Sequence, residues 1–131
     1  MATDESIPFE TLVHLARHSA AVTCECACAS ASYAGWERMQ LSFPEKQMRV
    51  VGTLVKDPYD EPTFAEYHPA GTNYWSTDAP IAVRHFPYNR CAVWQCTECE
   101  RSYLAYTEGG GYYVECRLRA LDPGYLVNQD L

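Results

Sequence analysis

The chain has 131 residues, 47% of them hydrophobic and 21% charged, with a formal net charge of −7. That composition suits one domain over residues 1–131 with a sizeable core, and it excludes wholesale disorder. Ten basic residues against 17 acidic ones exclude the basic footprint that a dedicated duplex-DNA binder needs, and no run reaches the roughly 18 apolar residues of a membrane span.

The N-terminus is acidic and no apolar signal core follows it, so a cytoplasmic chain is expected, with residues 1–6 as a frayed tail. Pro8 suits the first turn of a helix. From there Leu12, Leu15, Ala16 and Ser19 recur with a period of about 3.6, Phe9 lies one turn earlier, and Glu10, His14, Arg17 and His18 take the other face. The spacing predicts an amphipathic helix over residues 8–20. Residues 23–32 are small and cysteine-rich and read as a loop or irregular strand. Ser42-Phe43-Pro44-Glu45 reads as a second helix start. Met48, Val51 and Val55 would face the core, Gly52 would weaken the helix, and the breaker cluster at residues 56–62 would end it.

The remainder reads as β. Residues 63–68 and 73–77 flank Pro69-Ala70-Gly71-Thr72 as a first hairpin, residues 80–86 give a third strand and residues 90–95 a fourth. Residues 101–107 and 112–118 flank Glu108-Gly109-Gly110-Gly111 as the clearest hairpin, and a turn at residues 121–124 closes the fold. Sequential strands with short loops predict an α+β fold, an antiparallel sheet of hairpins packed on one or two N-terminal helices.

Seven cysteines are an odd number and cannot all pair. They fall into Cys24/Cys26/Cys28 and Cys91/Cys96/Cys99, with Cys116 apart. Close clustering in a reducing compartment favours metal ligation over disulfides. The sharpest signal is Trp94-Gln95-Cys96-Thr97-Glu98-Cys99, because two residues between thiolates in a tight turn bring the sulfurs about 3.8 Å apart, as Zn–S bonds of about 2.3 Å in a tetrahedron require. Residues 94–118, a knuckle leading into a hairpin, resemble half of a zinc ribbon; the second Cys-x-x-Cys of a full ribbon is missing.

Three sources could complete the site. Cys91 and Cys96 lie an odd number apart and would face opposite sides of one strand. Cys116 would pair near Tyr103, roughly 13 Å along the strand from Cys99. The N-terminal cluster remains. The expected set is Cys26, Cys28, Cys96 and Cys99 holding one structural Zn²⁺, with Cys24, Cys91, His85 or Cys116 standing as replacements. Four protein thiolates leave no open position, which makes the site structural rather than catalytic.

Arg84-His85-Phe86-Pro87-Tyr88-Asn89-Arg90-Cys91, the knuckle, and Tyr106-Thr107-Glu108-Gly109-Gly110-Gly111-Tyr112-Tyr113 together resemble a small uncharacterised family of proteobacterial proteins. The resemblance runs over most of the chain. It implies a bacterial cytosol and carries over no functional residues.

Functionally, the leading expectation is a binding module whose aromatic and arginine-bearing sheet contacts a partner protein, with the acidic surface steering it onto basic targets. Nucleic acid and membrane are not expected partners. A thiol redox or metal-handling protein using Cys96 and Cys99 is one alternative. A small enzyme with a cleft near the first hairpin, using Glu66, His68 or His85, is the other.

Overall fold

The structure is a computed structural model that describes residues 5–57, 59–109 and 114–129. Helix α1 (Phe9–Ala21) forms as the spacing predicts, with Leu12 and Ala16 buried and His14 and His18 exposed. Pro8 stands at the N-cap rather than inside the first turn, and His18 lies in the last turn, where a cation suits the helix dipole.

Among the described residues seven strands follow: β1 (Glu37–Arg38), β2 (Met48–Thr53), β3 (Ile81–Ala82), β4 (Ala92–Cys96), β5 (Ser102–Gly109), β6 (Val114–Ala120) and β7 (Leu126–Val127). Five make an antiparallel sheet in the order β1-β6-β5-β4-β2, and β3 pairs with β7 in parallel. Register sorts the side chains by face, because opposite residues share one. Ala92, Ala105 and Leu118 align on one face, and Val93, Leu104 and Arg119 on the other.

Both faces are covered. Val93, Leu104 and Tyr106 pack with Leu12 and Ala16 of α1 and with Trp36, Leu54, Ile81, Val83, Tyr88 and Cys91. On the opposite face Tyr103, Ala105, Leu118 and Cys96 pack with Cys28, Tyr33 and Phe43 from the segment between α1 and β2. A helix and a long irregular stretch therefore cover one face, and a cysteine-bearing loop covers the other.

The α+β expectation holds, and several of its parts are corrected. The second helix reduces to a 3₁₀ turn at Glu45–Gln47, and Met48–Thr53 is a strand paired to β4. Val50, Val51 and Thr53 are β-branched, and the free edge of β4 supplies a ladder that an isolated helix cannot match. The first hairpin does not form. In residues 63–77 side chains bond locally instead: Ala65 N–H donates to Thr63 Oγ1, Trp75 N–H to Asn73 Oδ1, and His68 Nδ1 meets Thr72 Oγ1. Such bonds compete with ladder formation. The third strand shrinks to Ile81–Ala82, and its partner β7, beyond the predicted closing turn, was not foreseen. The last hairpin forms, with the glycine turn's residues 110 and 111 outside the described residues. Its register places Cys116 opposite Thr107, not near Tyr103. The expected tail is also shorter, since Ser6 bridges Thr53 and Ile7 N–H donates to Thr53 O at 2.9 Å.

Candidate metal centre

Cys96 is the last residue of β4, and the chain turns over Thr97, Glu98 and Cys99 before β5. The turn is closed by Glu100 N–H to Cys96 O at 2.9 Å and Cys96 N–H to Arg101 O at 2.8 Å. Glu100 takes φ +71°, the left-handed region that costs an L-residue about 1–2 kcal/mol. That reversal directs Arg101 N–H back toward Cys99 Sγ at 3.5 Å. An N–H aimed at sulfur suits a thiolate.

The second pair comes from the other covering loop. Cys26 is extended and Cys28 sits in a 3₁₀ turn at Ala27–Ala29, closed by Ala29 N–H to Cys26 O. Tyr103 of β5 donates its hydroxyl to Cys28 O at 3.1 Å, and its oxygen lies 3.3 Å from Cys28 Sγ. Gln47 O accepts from both the N–H and the hydroxyl of Thr97, at 2.8 and 2.9 Å. The two loops are thus fastened at the knuckle.

The result brings together the sulfurs of Cys26, Cys28, Cys96 and Cys99, all within 4.8 Å of one another. Cys26 Sγ lies 3.8 Å from Cys96 Sγ, and Cys28 Sγ 3.4 Å from Cys99 Sγ. Sulfurs around a tetrahedral zinc stand about 3.8 Å apart. These separations are too long for a disulfide and lie at or just below that spacing. Cys28, Cys96 and Cys99 are buried and Cys26 is half-buried. A cluster of this kind offers a metal ion four ligands and leaves it no open position.

The metal-free thiols are held unequally. Burial, reinforced by the neighbouring Cys99 and Cys26, pushes the Cys28 thiol well up. Burial raises Cys96 as well. It also pushes on Cys99, but the Arg101 backbone N–H and the Cys28 thiol outweigh it, and Cys99 is lowered to about 7. Cys99 is therefore ready to ionise near neutral pH, whereas Cys28 and Cys96 need a cation to do so.

Two residues around the cluster were missed from the sequence. Gln47 Oε1 lies 3.8 and 3.6 Å from the sulfurs of Cys26 and Cys96. Rotating its amide by half a turn presents an N–H to both once they are thiolates. Arg101 holds the loop by donating to Cys24 O at 2.8 Å and Val22 O at 3.5 Å. Its guanidinium would offset one of the two negative charges that four thiolates and one divalent ion would carry. Neither residue belongs to a spacing pattern; a charge argument around the knuckle would have pointed to Arg101, and no sequence signal points to Gln47.

The proposed replacements lie elsewhere. Cys91 is buried in the core on the opposite face and donates to Pro87 O at 3.2 Å. Cys116 is half-buried on β6. Cys24 is exposed and outside the four-sulfur group. His85 is buried with Nδ1 unpartnered among the described residues, and burial lowers its pKa.

The enzyme alternative finds less. His68 Nε2 meets Glu66 Oε1 at 2.7 Å. A cleft of about 470 Å³ between residues 55–63 and 83–89 is lined by Val55, Asp57, Asp60, Thr63, Val83 and Asn89, and none of Glu66, His68 or His85 lines it. The tyrosines expected on a sheet surface are largely internal: Tyr103 and Tyr106 are buried, and Arg119 is fully buried. Tyr112 and Tyr113 lie outside the described residues. No described helix is long and apolar enough to cross a membrane. Comparison with family models, with curated proteins and with solved structures finds no match.

Proposed function

We propose that this protein is a small binding module built around one structural Zn²⁺ held by Cys26, Cys28, Cys96 and Cys99. The observation that carries the reading is the convergence of four sulfurs, from loops some 70 residues apart in sequence, to within 4.8 Å. Thiolates alone favour zinc over harder ions. The closed ligand set gives the ion a role in folding rather than in chemistry, and reduced sulfurs fit an intracellular setting.

The module's partner is a protein. Phe64 and Trp75 are exposed, with Arg90 stacked on Phe64 at 4.3 Å and Arg117 on Trp75 at 5.0 Å. Aromatic and arginine side chains together are the usual anchors of protein interfaces. The net charge of −7 favours a basic target.

Elemental analysis of untagged protein purified without added metal, with a free-thiol count, tests the centre. The expected result is about one zinc per chain, with four thiols shielded until a chelator is added. Metal-free protein in which a chelator uncovers no further thiols would overturn it. That outcome would favour the thiol redox alternative, which the lowered Cys99 supports.

A further inference from the structure

The four sulfurs differ in access and fall into two close pairs. Cys26 is half-buried and lies on the wall of a cleft of about 650 Å³, whereas Cys28, Cys96 and Cys99 are buried and none of them lines it. Cys26 Sγ stands 3.8 Å from Cys96 Sγ, and Gln47 Oε1 spans the two at 3.8 and 3.6 Å. The other two sulfurs are engaged with each other: Cys28 Sγ is 3.4 Å from Cys99 Sγ and 3.3 Å from the Tyr103 oxygen. Both pairs therefore run from one loop to the other, and only one of them contains a sulfur that a small solute reaches from the cleft. A disulfide holds its sulfurs about 2.05 Å apart, so a closure of about 1.8 Å joins Cys26 to Cys96. Cys26 lies outside every strand, and the shift can fall on it without breaking the sheet ladder.

We infer that Cys26 and Cys96 form an oxidation site at which a peroxide discharges the metal. This rests on the zinc reading above and names what the centre responds to. Metal-bound sulfur is thiolate, the form that attacks peroxide. The Cys26 sulfur attacks one peroxide oxygen: the S–O bond forms, the O–O bond breaks and hydroxide leaves. The Cys96 sulfur then attacks the Cys26 sulfur: the S–S bond forms, the S–O bond breaks and a second hydroxide leaves. The two sulfurs give up two electrons and the peroxide takes them. Cys28 and Cys99 alone do not hold the ion, and Zn²⁺ passes to solvent as they take up two protons. The new bond ties the covering loop to the end of β4, where zinc had tied them, so the second core stays fastened after the metal has gone.

The test treats full-length, zinc-loaded protein with an equimolar amount of hydrogen peroxide, beside a chromogenic chelator too weak to strip the metal unaided. The products are then mapped by mass spectrometry without reduction. The expected result is release of about one zinc per chain, with Cys26 and Cys96 joined and Cys28 and Cys99 still thiols. A dithiol with added zinc is expected to restore the starting state. The oxidised protein is expected to melt several degrees above reduced protein stripped by chelation. Replacing Cys24→Ser and Cys116→Ser together, which removes thiols outside the four-sulfur group, is expected to leave the release rate at the wild-type value. A disulfide between Cys96 and Cys99 or between Cys28 and Cys99, zinc retained under peroxide, or slower release from the double variant would each overturn the proposal while leaving the structural centre intact. Protein that holds no zinc before treatment would overturn the centre itself.

Discussion

Arg119 is 0% exposed, yet every group around its guanidinium is an acceptor. Nε donates to Ala34 O at 3.1 Å, Nη1 to the Tyr88 hydroxyl, and Nη2 to Thr77 O and Ala79 O at 3.2 and 2.9 Å. One fork thus ties three separated segments to β6, a task that needs several donors in fixed directions. The pattern also shows why the residue misleads a sequence reading. By strand alternation it belongs to the face opposite Leu118, and arginine there suggests solvent; the carbonyls that receive it come from chain 40 and 85 residues away. Arg119→Met is expected to destabilise the fold by about 3–5 kcal/mol, because it leaves buried carbonyls and a hydroxyl without donors. Arg119→Lys is expected to lose about 1–3 kcal/mol, since an ammonium cannot span all four acceptors. Urea unfolding at neutral pH measures both, and wild-type midpoints would show that the fork does not hold these segments.

Strand β2 illustrates how an element is decided by its neighbours. Its register against β4 slips between Val50 and Gly52, a bulge that leaves Val51 without a partner on β4. A Cβ at Gly52 would stand 2.5 Å from Ile7 Cγ1 and 2.6 Å from Glu5 O, so glycine is what lets residues 5–7 lie along the sheet edge. That contact covers part of an edge that would otherwise present unpaired backbone groups. Gly52→Ala is expected to cost about 1–3 kcal/mol through overpacking. Hydrogen exchange should show the loss first at Ile7 N–H and Thr53 N–H, and unchanged protection there would contradict the close approach. Read alone, residues 42–55 carry a plausible helix start and an apolar spacing of three and four. Only the open edge of β4 turns that spacing into a strand. The same holds for residues 63–77, whose turn residues were legible but whose side chains bond within their own loops. Helix α1 and the last hairpin were legible because periodicity and turn chemistry agree over their length.

At the scale of the molecule the sheet separates two cores. One holds α1 and Trp36; the other holds the cysteine cluster with Tyr33, Phe43 and Tyr103. The second is built from a loop with little regular structure, so its stability depends on the knuckle fastening it to β4 and β5. Removing metal by chelation is therefore expected to lower Tm by several degrees and to deprotect backbone amides in residues 22–47, while α1 and its face of the sheet keep their protection. Hydrogen exchange with and without chelator reads this directly. A uniform change across both faces, or none, would contradict the division of labour.

The cysteine spacing by itself pointed to Cys96 and Cys99 as one chelating pair and to the N-terminal cluster as the source of the other, with Cys24 open as a replacement there. Two residues between Cys96 and Cys99 fix a chelating turn, strand parity turns Cys91 to the other face, and hairpin length carries Cys116 away. These are local rules of backbone geometry, so they survive ignorance of the fold. The period of α1 was determined in the same way. What only the tertiary structure decided is everything that depends on a partner distant in sequence: that residues 48–53 extend, that Arg119 turns inward, that Gln47 and Arg101 surround the cluster, and that Cys24 is left outside on an open cleft. Their hydrogen-bond partners and their exposure are set by chain that folds back from elsewhere, and no local pattern encodes the neighbour.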